Sequence, residues 1–121
     1  MGNNSNPNNN PIEDLSFDFA VRIVKFCGWL KKESKQFEMA NQLLRCGTSI
    51  GANVAEAQYA QSKADFASKM HIALKEAYET EYWLRLLSAA DIIPKEACAS
   101  LQADLKQILK LLITIVKKAK S

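Results

Sequence analysis

Residues that interrupt helices are rare in this sequence. Beyond residue 11 of the 121-residue chain, the only glycines and prolines are Gly28, Gly47, Gly51 and Pro94. Glycine and proline are the strongest local signals for turns and breaks, so nearly all of the chain from Leu15 onward can be helical. No alternating pattern typical of strands competes with this interpretation.

Long apolar runs and a secretory signal are also lacking. The most apolar stretch covers residues 111–116, in which only Thr114 is polar, and it is far short of the roughly 20 residues that a membrane span requires. Residues 1–11 are rich in asparagine and have no apolar run typical of a signal peptide. We expect a disordered tail over residues 1–11, one folded domain over residues 12–121, no membrane partner and a cytoplasmic location.

Side chains that usually carry catalysis or bind metals are few. The only histidine is His71, and the three cysteines, Cys27, Cys46 and Cys98, lack the spacing of zinc ligands. Di-iron bundles require Glu-x-x-His motifs, but Ser68 stands three residues before His71. A nucleophile and base formed by Cys98 and His71 is conceivable, although nothing in the sequence places them together. We therefore expect no catalytic residue, metal, cofactor or small-molecule substrate.

Four segments have apolar residues at helical spacing. The pattern and the cap signals predict a first helix with its N-cap at Asp14 or Ser16 and its end near residue 32, and a second helix over about 37–59. A turn at 61–63 with Ser62 as N-cap leads into a third helix that ends near residue 89, and a fourth covers about 95–119. Short connections make consecutive helices antiparallel neighbours. The sequence thus predicts an all-α protein, an antiparallel up-down-up-down four-helix bundle.

The second predicted helix combines small residues with a polar row. Gly47, Gly51 and Ala55 recur every fourth position, which predicts close approach to a neighbouring helix because interior glycines cost about 1 kcal/mol each. A polar row lies roughly opposite, and the third helix has carboxylates of its own. We predict that they form a structural polar layer, made of Arg45, Ser49, Asn53, Glu56, Lys75, Glu76 and Glu79. In this layer the partner of Glu76 and Glu79 is Lys75, one turn before Glu79, or Arg45, or the row of Ser49 and Asn53.

The fourth predicted helix is unusually apolar and ends in basic residues. Its apolar arc spans about 200°, whereas about 100° suffices to face a core. We therefore expect self-association, with Leu109, Ile113 and Val116 at the interface. The net charge is +3, and from Leu105 onward there are five lysines and no acidic residue. These candidate nucleic-acid-binding residues are Lys106, Lys110, Lys117, Lys118 and Lys120, although a solvated helix end has the same pattern.

Two segments carry a resemblance to a known bacterial family. Residues 42–57, QLLRCGTSIGANVAEA, and residues 69–93, KMHIALKEAYETEYWLRLLSAADII, are similar to the signature segments of the four-helix-bundle proteins encoded in 23S rRNA intervening sequences. The second segment is the more specific, since it matches a subfamily version at Lys75, Glu76, Ala77, Glu79, Thr80, Tyr82, Trp83 and Leu84. The first departs from the family at Gly51, often Pro, and at Ala57, often Gly.

The resemblance implies an antiparallel bundle that assembles into a ring of five copies. The family is also similar to the accessory protein of diversity-generating retroelements, a basic pentamer that binds nucleic acid and a reverse transcriptase. The resemblance to the intervening-sequence family implies no catalytic activity. We predict a non-enzymatic homo-oligomer, a homopentamer, that binds RNA or a nucleoprotein through clustered lysines. The alternatives are a protein-interaction scaffold without a nucleic-acid role and, less favoured, a metal or small molecule in a central channel.

Overall fold

The computed structural model describes residues 10–120, which form four α-helices and no strand within that range. They are α1 (Pro11–Ser34), α2 (Phe37–Ala57), α3 (Lys63–Ala89) and α4 (Lys95–Lys120). Each helix packs on the next, and α1 also contacts α4 but not α3. The predicted all-α four-helix bundle is confirmed.

The start of α1 differs from the prediction. The side chain of Asn10 accepts a hydrogen bond from the Glu13 backbone N–H, and Pro11 occupies the first turn, where its missing N–H costs nothing. The predicted N-cap at Asp14 or Ser16 is therefore wrong. Ser16 is buried, and its hydroxyl donates to the Glu13 carbonyl at 3.2 Å. The last two residues of the predicted tail thus belong to the bundle, while residues 1–9 lie outside the described part.

The start of α3 follows the sequence signal. The Ser62 hydroxyl accepts a hydrogen bond from the Asp65 N–H at 3.0 Å, as an N-cap does. In return, the Asp65 carboxylate accepts from the Gln61 N–H at 3.1 Å. These local bonds end the connection after α2 and fix where α3 begins.

The core runs the length of the bundle and contains residues from all four helices. Among its fully buried side chains are Ile23 of α1, Leu43 of α2, Leu84 of α3 and Leu112 of α4. The glycines of α2 allow α1 to approach: a Cβ at Gly47 would stand 2.9 Å from Ile23 Cγ2, and one at Gly51 would stand 3.2 Å from the Ser16 carbonyl oxygen. The predicted close approach is confirmed, and α2 runs unbroken through both glycines.

Candidate functional site

The centre of the predicted polar layer is Arg45 of α2. Its guanidinium binds two carboxylates of α3, that of Glu76 at 3.2 Å and that of Glu79. The indole N–H of Trp83 also donates to Glu79, at 3.3 Å. The hydrogen bond to Glu79 raises the pKa of Arg45 further above its ordinary value. This cluster joins α2 to α3 through a guanidinium that is permanently charged.

The other predicted members of the layer divide into three groups. Glu56 accepts from the Lys69 ammonium at 2.9 Å, a second link between α2 and α3. The Asn53 amide donates to the Ser49 carbonyl of its own helix at 2.8 Å, so this pair joins no neighbour. Lys75 is exposed and does not pair with Glu79, contrary to the prediction, because Glu79 is directed at Arg45 and Trp83.

No catalytic pair is assembled from Cys98 and His71. The Cys98 thiol is buried and donates to the Leu84 carbonyl at 3.4 Å, whereas His71 is exposed. Leu84 lies 13 residues from His71 on α3, about 20 Å along the helix axis. Within residues 10–120, no three His, Cys, Asp or Glu residues are grouped as metal ligands would be. None of the helices in that range is long and apolar enough to cross a membrane.

The three cysteines are free thiols, all buried. Burial raises the pKa of the Cys27 thiol to about 11 and raises that of Cys46 for the same reason. The thiolate is the nucleophilic form of cysteine, and a raised pKa leaves very little thiolate near neutral pH. These side chains therefore act as small core residues.

This burial predicts that the native protein resists thiol reagents. At pH 8 we expect negligible labelling of Cys27 by Ellman's reagent within the time that free glutathione reacts completely, because both access and thiolate are lacking. Unfolding in guanidinium chloride should expose all three thiols of the chain. Stoichiometric labelling of the folded protein in minutes would contradict the described burial.

The lysines predicted to bind nucleic acid do not form a single cluster. Four of them lie on the exposed side of α4, separated by four, seven and three residues, and we call them the lysine row: Lys106, Lys110, Lys117 and Lys120. The row extends about 21 Å along the helix at 1.5 Å per residue. Acidic residues are absent from α4 beyond Asp104, which is bound to Arg22 of α1. The row therefore presents positive charge over nearly four turns.

Lys118 lies apart from the lysine row. It lines an open cleft of about 360 Å³ together with Lys63, Phe66, Ile115 and Ala119, where α3 begins and α4 ends. Sequence reasoning missed Lys63, because 55 residues separate it from Lys118 and only the antiparallel packing of α3 and α4 brings them to one end of the bundle. The only signal in the sequence was the short connection that makes these helices neighbours.

The apolar arc of α4 is largely covered inside the bundle. Leu109 is 9% exposed and Val116 is 6% exposed, both as part of the subunit's own core, while Ile113 is 38% exposed within the lysine row. Of the three residues assigned to the interface, only Ile113 is thus open to another copy. The width of the arc does not by itself require self-association, because α1 and α3 flank α4 on two sides.

Large apolar side chains are exposed elsewhere, on α1 and α3. On α1, Phe17 is 67% exposed and Val24 is 55% exposed; on α3, Tyr78 and Tyr82 are 49% and 51% exposed. Sequence reasoning missed these positions because their spacing is also helical and could equally belong to a core stripe. They are candidate contact surfaces for a partner.

Comparisons with known proteins agree with the fold and the signature segments. The sequence is similar, at 54% identity, to a protein of unknown function from the S23 ribosomal protein family of Bacteroides thetaiotaomicron VPI-5482, whose crystal structure superposes with a TM-score of 0.86 over 88% of this chain and 98% of that one. No curated protein matches the chain. The family description that matches residues 8–114 is that of the 23S rRNA-intervening sequence protein. The chain therefore belongs to the 23S rRNA-intervening sequence protein family.

Proposed function

We propose that the protein is a non-enzymatic homo-oligomer that binds RNA or a nucleoprotein through the lysine row of α4. The observation that carries this proposal is the row itself, four exposed lysines on one face with no acidic residue on α4 beyond Asp104. Flexible ammonium groups along a helix suit phosphate contacts that are independent of base sequence. The location that this role requires is the cytoplasm, where buried free thiols stay reduced.

Assembly would strengthen this binding. A single chain has a net charge of only +3, so its long-range attraction to RNA is weak. In the five-copy ring that the family resemblance implies, five lysine rows act on one RNA molecule, and each additional contact raises the effective local concentration of the others. Self-association and RNA binding are therefore parts of one proposal.

A salt titration of RNA binding tests the proposal. A fluorescently labelled RNA hairpin should bind the full chain at about 50 mM salt and lose affinity by more than tenfold at about 200 mM, because each phosphate contact releases counterions. Fluorescence anisotropy gives both affinities, and a neutral polymer of similar size serves as the control. Absence of binding at low salt would remove RNA from the proposal.

A protein-interaction scaffold is the second candidate, favoured by the exposed aromatic residues of α3. Affinity capture from a native lysate, with and without nuclease, separates the two functions. Partners that are lost after nuclease treatment indicate that RNA connects them to the bundle. Partners that survive it indicate direct protein contacts.

A further inference from the structure

One exposed side of α1 is apolar where the bundle does not cover it. Phe17, Val21 and Val24 are 67%, 40% and 55% exposed, at spacings of four and three residues that keep them on one side of the helix. Four residues further along the same side comes Gly28. We call these four residues the α1 face.

Gly28 has no packing reason inside the subunit. A Cβ built at this position would meet nothing within 4 Å, in contrast to Gly47 and Gly51, which are crowded by α1. A glycine in a helix interior costs about 1 kcal/mol relative to alanine. Its position beside the exposed valines leaves bare backbone where a large side chain from outside the subunit can lie.

The second exposed apolar side belongs to α3. Tyr78, Tyr82 and Leu86 recur every fourth residue and are 49%, 51% and 37% exposed; we call them the α3 face. Since α1 and α3 do not contact each other in the bundle, the two faces lie on separate sides of the molecule. Tyr82, Leu86 and their neighbours Arg85 and Ala89 also border a shallow hollow of about 240 Å³.

The two faces lie at matching heights. Helices α1 and α3 run in the same direction, and contacts with α2 relate their heights. Gly47 of α2 lies against Ile23 of α1, and Arg45, two residues before Gly47, binds Glu76 and Glu79 of α3. These contacts place Ile23 about level with residue 75. Gly28 is therefore level with residue 80 of α3 and Val24 with residue 76, so Tyr82 and Tyr78 each stand two residues away, about 3 Å along the axis.

We infer that the α1 face of one copy packs against the α3 face of the next, with Tyr82 lying over Gly28. This inference rests on the self-association in the proposed function and assigns its interface. The contact joins two different surfaces, as a ring of five requires, because a two-fold contact pairs identical surfaces and gives only a dimer.

The exposed area of the two faces and the poor fit of other candidates both favour a second copy of the chain as the binding partner. The six exposed apolar side chains of the two faces present roughly 500 Å² of surface, enough for the apolar centre of an interface of about 1,200 Å². Residues 1–9 contain a single large apolar side chain, Met1, so their composition does not match either apolar face. An RNA strand would find no row of cations on them.

Two single variants, each removing one face, test the inference by sedimentation velocity. Gly28→Leu fills the open position on α1, and Tyr78→Glu places a charge on the α3 face. We expect the wild-type chain to sediment as a ring and each variant alone as a 13.5 kDa monomer. The unfolding temperature of the Gly28→Leu monomer should not fall below that of the Tyr78→Glu monomer, because Leu is the better helix former and its Cβ meets nothing within 4 Å in the subunit.

Mixing the two variants gives the most decisive test of the inferred contact. Each variant retains the face that the other has lost, so an equimolar mixture should form a dimer with one intact contact. If the Tyr78→Glu variant assembles like the wild type, the contact is not between α1 and α3 and the inference is overturned, while self-association stands. If Ile113→Glu dissociates the assembly while Gly28→Leu and Tyr78→Glu do not, the interface lies on α4 and the inference is equally overturned. A wild-type chain that is itself monomeric contradicts both the inference and the proposed homo-oligomer.

Discussion

Replacing Gly47 with leucine should lower the free energy of unfolding by about 1–3 kcal/mol through overpacking. Even the first atom of the new side chain would stand 2.9 Å from Cγ2 of Ile23, which is completely buried and has nowhere to move. The remaining atoms of the leucine side chain would then force α1 away from α2 and open the core. This loss should appear although leucine is intrinsically the better helix former by about 1 kcal/mol.

Urea denaturation followed by circular dichroism measures this effect, and the chain supplies its own control. Gly28→Ala changes a glycine in the interior of α1 with no neighbour near the added Cβ. Both variants are compared in the Tyr78→Glu background, where the proposed ring does not form; there Gly28→Ala should be unchanged or more stable by up to about 1 kcal/mol. Equal stability with and without Gly47→Leu in that background would mean that α1 and α2 are farther apart than described.

Neutralising three members of the lysine row should weaken RNA binding by about tenfold to a hundredfold at low salt. The variant carries Lys106→Gln, Lys110→Gln and Lys117→Gln, all exposed side chains of α4. Each phosphate contact contributes about 0.7–0.9 to the slope of log affinity against log salt, so the slope itself should fall by about 2–3. Anisotropy titrations at several salt concentrations measure both quantities.

A matched triple variant distinguishes the effect of where the lysines lie from the effect of total charge on RNA binding. Lys31→Gln, Lys32→Gln and Lys35→Gln remove the same charge at the far end of the bundle, where α1 meets the connection to α2. This control should reduce affinity by less than threefold and leave the slope nearly unchanged, since the phosphates are held elsewhere. Equal losses in the two triple variants would show that net charge alone, and not the lysine row, determines binding.

Much of the fold could be predicted because its signals are local. Helical spacing of apolar residues and the scarcity of glycine and proline predicted Ser62 as the N-cap of α3 and an end near Ala89, as observed. The start of α1 was missed because Asn10 stands in an asparagine-rich segment. Its role as a cap depends on one hydrogen bond, to the Glu13 N–H, that composition does not indicate.

The candidate sites were less predictable, because a helical stripe does not say what it faces. Lys75 and Glu79 have ideal spacing for a pair one turn apart, yet Glu79 pairs with Arg45, 34 residues away. Leu109 and Val116 were assigned to an interface, but neighbouring helices cover them within the subunit. In both cases the partner of the side chain is set by contacts between helices, which spacing within one helix does not indicate.

The sequence by itself determined four helices, their order, their antiparallel connection and the three glycines that would need explanation, because periodicity, caps and turn length act within a few residues. Only the tertiary structure decided which stripes are covered. Burial depends on the rotation of each helix relative to its neighbours, and this rotation turned Gly47 toward Ile23 and left the space beside Gly28 open.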